Sequence, residues 1–139
     1  REVAAAGHTI GNHGFSHSHL RFKRRSFIEK EITDTSSALC SIAERTTAMF
    51  RPPYGDISFS LLHAARSTQH KIVLWTRDTR DWFLPSEWTL QKYLQRTTRE
   101  GDIILFHDNE LTAARLNAYL PKAIESLSAQ HFEFSPLSL

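Results

Sequence analysis

The chain has 139 residues, of which 40% are hydrophobic and 23% are charged, a balance typical of a globular domain with one sizeable core. Its formal charge is only +2, and its Lys and Arg residues are scattered, which argues against a nucleic-acid partner. The single cysteine excludes an internal disulfide and a cysteine-based zinc site, and the longest apolar runs are too short to cross a bilayer.

The pattern of apolar and polar residues predicts alternating strands and helices along the whole chain. A short helix ending at Gly7 comes first, and a capping box formed by Ser26 and Glu29 is expected to begin the next helix. The elements expected after Gly7 are, in chain order, a strand at 8–10, a helix from Ser26 to about Arg45, a strand at 48–50, a helix capped by Ser58, a strand at 71–76, a loop at 77–85, a helix capped by Ser86, a strand at 103–106, a helix at about 112–129 and a strand at 131–134. This order is typical of an α/β protein with a parallel sheet, open or closed into a barrel, in one domain over residues 1–139.

Two histidines four residues apart, His13 and His17, follow the first predicted strand. Gly11 and Gly14 allow the backbone to turn between them, so that both imidazoles can face one ion. Neutral imidazole suits zinc and several other transition metals, but a catalytic zinc normally has three protein ligands. The alternative is a pair of surface histidines in a polar loop, which would be the better interpretation of any isolated pair.

Polar residues also follow the other predicted strands. His13, Arg51, Asp78 and His107 each come just after one. In parallel α/β folds the chemistry lies at the carboxyl ends of the strands. The sequence therefore predicts that polar groups from distant segments meet at one rim of the sheet and form an active site there.

Four segments in this order resemble a known family. They are residues 7–17 (GHTIGNHGFSH), 51–55 (RPPYG), 75–82 (WTRDTRDW) and 101–108 (GDIILFHD). They are similar to motifs two to five of the polysaccharide deacetylase family (NodB-homology, carbohydrate esterase family 4), and the resemblance covers essentially the whole chain. It implies a distorted (β/α) barrel and a hydrolase that uses a metal to remove N-acetyl or O-acetyl groups from a glycan such as chitin oligomers or peptidoglycan.

The resemblance also implies roles for individual residues. His13 and His17 match the family's metal-binding pair, and the divalent metal is expected to be zinc. His107 matches the general acid, Asp81 the carboxylate that orients it, and Arg51 the arginine that orients the catalytic carboxylate. The simpler alternative for His107 is a histidine with only local partners. For Arg51 it is an ordinary salt bridge.

Three further residues match the substrate side of the family's site. The backbone N–H of Tyr54 would help to hold the developing oxyanion, Trp82 would wall the pocket and Leu105 would line the acetyl-methyl pocket. A rigid structural turn at residues 51–55 is a serious alternative for Tyr54, and a structural role is favoured for Asp78.

The family's first motif, a Thr-Phe-Asp-Asp segment that supplies the catalytic base and the third metal ligand, does not occur in the chain. The expectation is therefore a carboxyl-terminal portion of the domain that lacks its first strand–helix–strand part. A fragment of a longer deacetylase is favoured, because residue 1 falls within a helix; a part supplied by another chain and a degenerate, inactive member are the alternatives. Such a chain would bind metal weakly, turn over poorly and self-associate through exposed sheet edge.

Two other functions stay open. One is a non-glycan amidohydrolase of the same fold that cleaves a small C–N substrate. The other is an inactive carbohydrate-binding or interaction domain that uses Trp82, Phe83 and Trp88 to stack on sugars. A secreted or cell-envelope location follows from the family resemblance alone, since no export signal is visible.

Overall fold

The computed structural model describes residues 1–44, 46–83 and 86–138. The chain divides into two compact units. Unit 1 comprises Arg1–Leu74 together with residues 136–138, and unit 2 comprises Trp75–Ser135. Within the described residues, no helix combines the length and the apolar character that a membrane span requires. The assignment of residues 1–139 to a single domain stays a prediction.

Unit 1 pairs two short parallel strands and packs helices against them. Its elements are α1 (Glu2–Ala5), α2 (Arg25–Ala43), β1 (Met49–Phe50), a short 3₁₀ helix (Pro53–Gly55), α3 (Phe59–Ser67) and β2 (Lys71–Ile72). Met49 lies opposite Lys71 and Phe50 opposite Ile72. The buried cluster consists of Leu20, Ile28, Ile32, Phe50, Leu61 and Ala64. Since β1 ends at Phe50, this core fixes the position of the residues that follow it.

Two local predictions in unit 1 are wrong. The strand expected at 8–10 is absent, and only Asn12 forms a bridge, to Phe50. The capping box is absent too: α2 begins at Arg25, before Ser26, and Glu29 instead accepts hydrogen bonds from Arg25 and Ser67. The helix ends at Ala43, and its predicted end at Arg45 lies outside the described residues.

Unit 2 repeats the arrangement of parallel strands and helices. Its elements are β3 (Arg77–Asp78), α4 (Glu87–Thr97), β4 (Ile104–Leu105) and α5 (Ala113–Ser128). Arg77 lies opposite Ile104 and Asp78 opposite Leu105. A buried cluster of Leu90, Leu94, Tyr119, Ala123 and Leu127 joins α4 to α5. The end of β4 is thereby fixed two residues before His107.

The strands on either side of the unit boundary differ from the predictions. Of the strand expected at 71–76 only Lys71–Ile72 forms, while Arg77–Asp78, expected in a loop, is β3. Leu84 and Pro85, at the end of that loop, lie outside the described residues. The strand expected at 131–134 is absent, because Phe132 N–H donates instead to Leu127 O at the end of α5 (3.1 Å).

Candidate active site

The two histidines predicted to bind metal lie side by side in unit 1. The ring centroids of His13 and His17 are 5.0 Å apart and their planes cross at 76°. Gly14 has φ 79°, and His17 itself has φ 53°, in the left-handed region that non-glycine residues rarely adopt. The turn that brings the imidazoles together is therefore made by Gly14 and by His17.

A backbone carbonyl determines the tautomer of His13. Its Nδ1 lies 2.6 Å from Arg51 O. Because a carbonyl oxygen only accepts, Nδ1 carries a proton, and the neutral imidazole then has its lone pair on Nε2, the usual arrangement of a metal-ligating histidine. The donor set of two imidazoles suits zinc or cobalt, so the residues present fit part of a divalent-metal site. In the described part of the chain, no group of three or more His, Cys, Asp or Glu side chains is placed to hold a metal.

Arg51 makes contacts that its sequence-based role did not include. Its Nε donates to Val73 O and its Nη2 to Leu74 O, each at 3.3 Å. Burial lowers the pKa of Arg51 from its ordinary value, although an arginine stays charged at neutral pH. The guanidinium thus ties the end of β1 to the segment after β2, and its role in orienting a carboxylate stays a prediction.

Tyr54 packs against imidazoles through its side chain. Its ring meets His17 edge-on at 4.9 Å and stacks on His19 at 3.7 Å. Its backbone has φ 58°, so a non-glycine residue again occupies the left-handed region. The predicted use of its backbone N–H is untested, but the residue that carries this group packs directly onto His17.

Unit 2 brings Asp81 and His107 together. Asp81 is fully buried, and its Oδ1 lies 2.7 Å from His107 Nδ1. Its Oδ2 accepts the backbone N–H of His107 at 2.9 Å, while the Thr79 hydroxyl lies 3.3 Å from Oδ1. One carboxylate therefore holds both the ring and the backbone of His107, and Nε2 remains for a proton transfer.

The residues around this pair differ in exposure. Leu105, in β4, is buried, and its role in lining an acetyl-methyl pocket stays a prediction. Trp82 is 55% exposed and its ring lies 5.7 Å from that of Phe83. Thr112, which the sequence analysis missed, donates its hydroxyl to His107 O at 2.7 Å. Asp78 accepts Arg80 N–H, a local brace that agrees with the structural role favoured for it.

The sequence analysis also missed two buried polar residues in unit 1. Asn12 donates to Ile32 O at 2.8 Å and accepts Gly14 N–H at 3.0 Å. Glu31 accepts hydrogen bonds from Phe15 N–H at 3.0 Å and from Ser16 N–H at 2.8 Å. Because a glutamate on a helix is usually exposed, the residue type alone gives no reason to expect Glu31 to be buried. The available signal was the position of Glu31 three residues after Ile28, on the apolar face of α2.

Comparison with known proteins relates this geometry to a family. The family model described as polysaccharide deacetylase matches residues 1–73. A peptidoglycan-N-acetylglucosamine deacetylase of Bacillus cereus is 28% identical over 140 residues, which cover 99% of this chain and 65% of that protein. A chitooligosaccharide deacetylase of Azorhizobium caulinodans is 30% identical over 149 residues, with 99% and 71% coverage.

The same relationship holds in three dimensions. A solved structure of a family 4 acetyl xylan esterase from Clostridium thermocellum, in complex with a cobalt ion, matches with a TM-score of 0.87 at 27% identity. The match covers 98% of this chain and 65% of that one, so the chain spans about two thirds of the length of its relatives. The likeness confirms the predicted α/β deacetylase fold. On the family model and the relatives together, the chain belongs to the polysaccharide deacetylase family.

Proposed function

We propose that this chain takes part in the metal-dependent removal of N-acetyl groups from the N-acetylglucosamine units of peptidoglycan or a chitin oligosaccharide. The observation that carries the proposal is the buried Asp81 carboxylate, whose Oδ1 lies 2.7 Å from Nδ1 of His107. The names of the relatives support the choice of an acetylated glycan as substrate, and a site outside the cell or in its envelope belongs to the same proposal.

The chemistry assigned to His107 follows from its hydrogen bonds. Cleavage of an amide C–N bond releases an amine, which leaves readily only when its nitrogen is protonated. Because Nδ1–H donates its hydrogen bond to Asp81, the proton available for transfer is one carried on Nε2. The second bond, from His107 N–H to Asp81 Oδ2, keeps the ring aimed while that proton moves.

The remaining residues would bind the acetyl group and its developing charge. Tyr54 would donate its backbone N–H to the tetrahedral oxyanion, the kind of preorganised donor that stabilises acyl-transfer transition states. Leu105 would pack against the acetyl methyl group, and Trp82 would lie along the sugar. Arg51 would supply a fixed positive charge near the carboxylate that activates water, a residue of the family's first motif, which does not occur in this chain.

His13 and His17 are the residues that would hold the metal, for which we propose zinc. A divalent metal would supply Lewis-acid polarisation of the acetyl carbonyl and a more acidic water. The tautomer imposed on His13 by Arg51 O is the one that this role requires, with the lone pair on Nε2.

The test is acetate release from N-acetylglucosamine oligomers by the whole chain in the presence of excess Zn²⁺, measured over a long incubation because a chain without the residues of the family's first motif is expected to turn over poorly. His107→Gln should lower the rate by about 10²- to 10⁴-fold, the usual worth of a positioned general acid. His63→Gln, at an exposed histidine on α3, is the matched control and should leave the rate unchanged. A chelator should abolish acetate release.

Other outcomes would contradict the proposal. Acetate release that survives both the chelator and His107→Gln would rule out this chemistry. Turnover of small amides but not of glycans would favour the amidohydrolase alternative, and glycan binding without turnover would favour the inactive binding domain. Self-association stays a separate prediction, measured by sedimentation velocity.

A further inference from the structure

Two carboxylates outside the histidine segment, defined here as residues 12–21, hold it in place. Glu31 lies in α2, and Asp56 directly follows the 3₁₀ helix. Each accepts two consecutive backbone N–H groups, those of residues 15 and 16 and those of residues 20 and 21. The segment is thus tied at its middle and at its far end to parts of unit 1 that are distant in sequence.

Glu31 acts on the backbone between the two histidines. The residue is only 7% exposed, and Oε2 accepts Phe15 N–H at 3.0 Å and Ser16 N–H at 2.8 Å. A buried carboxylate is costly unless it is hydrogen-bonded, and bonds to a charged acceptor are about twice as strong as neutral ones. Glu31 therefore favours the one backbone conformation that turns both N–H groups inward.

Asp56 acts on the end of the segment and on Tyr54. Its Oδ2 accepts Leu20 N–H at 2.9 Å and lies 3.2 Å from His19 Nδ1. Burial would raise the pKa of Asp56, but its hydrogen bonds with His19 and the backbone lower it below the ordinary value. The His19 ring stacks on Tyr54, whose own ring contacts His17. A continuous series of contacts therefore leads from Asp56 to His17.

The backbone of the segment is strained. Gly14 and His17 both have positive φ, a conformation that glycine adopts without strain but that is unfavourable for a residue with a side chain, such as His17. Such a conformation persists only when its surroundings enforce it. In the described residues, the contacts from Glu31 and Asp56 are of the kind that enforce it, because they fix backbone donors on both sides of His17.

We propose that Glu31 and Asp56 are positioning residues that set the relative orientation of His13 and His17 for metal binding. The inference rests on the proposed function, since it takes the two imidazoles as metal ligands. It differs from a purely structural role in one measurable respect. A structural carboxylate changes how much of the chain is folded, whereas a positioning carboxylate changes the metal affinity of the folded chain.

The experiment is a titration of the whole chain with Co²⁺ alone, followed by visible absorption, together with metal-free thermal unfolding. Glu31→Gln should raise the Co²⁺ dissociation constant by about tenfold or more and change the spectrum, as loss of a partner outside the ligand set commonly does. Asp56→Asn should give a smaller rise. Glu29→Gln, on the same helix but bonded to Arg25 and Ser67, is the matched control and should change neither quantity.

A second measurement is independent of metal. In the metal-free chain, hydrogen exchange at Phe15 and Ser16 should be slow, and Glu31→Gln should accelerate it without changing exchange at Phe50 in the core. If Glu31→Gln does not fold, Asp56→Asn decides between the two roles.

The inference is overturned if both variants keep the wild-type Co²⁺ affinity and spectrum while folded, or if the wild-type chain binds no Co²⁺. Because no glycan is present, these results are distinguishable from failure of the proposed function. That failure would appear as intact Co²⁺ binding, sensitive to Glu31→Gln, with no acetate release.

Discussion

Units 1 and 2 hold their principal histidines in two different ways. In unit 1, His13 Nδ1 bonds to a neutral backbone carbonyl, that of Arg51. In unit 2, His107 Nδ1 bonds to a buried carboxylate, that of Asp81. With a carbonyl as acceptor, a neutral imidazole has its proton on Nδ1 and its lone pair on Nε2, the tautomer that suits a metal ligand. A carboxylate acceptor holds Nδ1–H on one side of the ring and leaves Nε2 on the other side as the nitrogen for proton transfer, which is suited to a general acid.

The two units also differ in where the supporting residues come from. In unit 2 the residues that hold His107 lie close to the ends of β3 and β4: Thr79 and Asp81 follow β3, and Thr112 follows His107 by five residues. In unit 1 the histidine segment depends on Glu31 in α2 and on Asp56 beyond the 3₁₀ helix. The first kind of support is built into the strand ends, and the second requires helix packing to be complete.

The largest expected effect comes from breaking the arrangement in unit 2. Asp81→Asn places an amide beside His107 Nδ1. The imidazole then loses its charged acceptor or changes to the tautomer that carries its proton on Nε2. Acetate release should fall by about 10²-fold or more. The free energy of unfolding should fall by about 1.5–3 kcal/mol, the worth of a hydrogen bond to a charged group.

The control for this change is Asp78→Asn, three residues earlier. Within the described residues, the only hydrogen bond that the Asp78 carboxylate accepts is from the nearby Arg80 N–H. It should leave acetate release unchanged. Denaturant unfolding and an acetate assay on both variants make the comparison. Equal losses in the two variants would show that the Asp81–His107 bond has no special part in the chemistry.

Local chemistry explains what the sequence could predict. Ser58 and Ser86 were both predicted to cap helices, and each accepts the backbone N–H three residues on, at 3.2 Å. A cap depends on a serine and the turn that follows it, so it is visible in a short window of sequence. The order of strands and helices was predictable for the same reason, since each helix carries its own periodic apolar face.

Non-local pairing explains what the sequence could not predict. The run from Ile72 to Trp75 was expected to form a buried strand, but β2 ends at Ile72, and Leu74 is 39% exposed. The polar pair Arg77–Asp78 forms β3, because its partner Ile104–Leu105 supplies the ladder. Strand boundaries depend on a neighbour that is distant in sequence, and apolar runs do not identify that neighbour.

The candidate site also has a part that the sequence predicts and a part that it does not. The roles of His13, His17, Asp81 and His107 came from a resemblance of motifs, and the structure pairs them as two couples, one in each unit. The predicted convergence of the two couples on one substrate stays a prediction. Glu31 escaped notice because its function is to bind the backbone of other residues, which leaves no motif in the sequence.

A smaller effect on stability is expected at another carboxylate of unit 2, that of Asp102, which can be protonated by lowering the pH. Asp102 accepts hydrogen bonds from the Thr76 hydroxyl, Arg77 Nε and Arg99 N–H. The Thr76 hydroxyl and then Arg77 contribute most to lowering the pKa of Asp102 to about 2. A lowered carboxyl pKa stabilises the fold above the unfolded value near 4, and this stabilisation is lost as the pH falls towards 2.

Asp102→Asn should therefore cost about 1–2 kcal/mol of unfolding free energy at pH 7 and much less at pH 2. Urea unfolding between these pH values makes the measurement, with Asp34→Asn, at an exposed pair with Lys30, as the control. Unlike Asp81→Asn, this change should leave acetate release intact at pH 7, which separates the role of Asp102 from that of Asp81. A difference in stability that persists at pH 2 would mean that the carboxylate charge is not the cause.

The smallest expected effect is a difference in stability and KM between alanine variants of two exposed tryptophans of unit 2. Trp88, in α4, is 62% exposed and lies under Lys92 Nζ, 3.8 Å from the ring centroid. A cation–π contact at such a site is worth about 0.5–1 kcal/mol, so Trp88→Ala should lower stability by no more than this and leave glycan turnover unchanged. Trp82→Ala, one residue after the buried Asp81, should instead raise KM for N-acetylglucosamine oligomers, because the proposed function places this ring along the sugar. If Trp88→Ala raised KM as much as Trp82→Ala did, the aromatic surface of unit 2 would bind glycan beyond the residues around His107, as the binding-domain alternative requires.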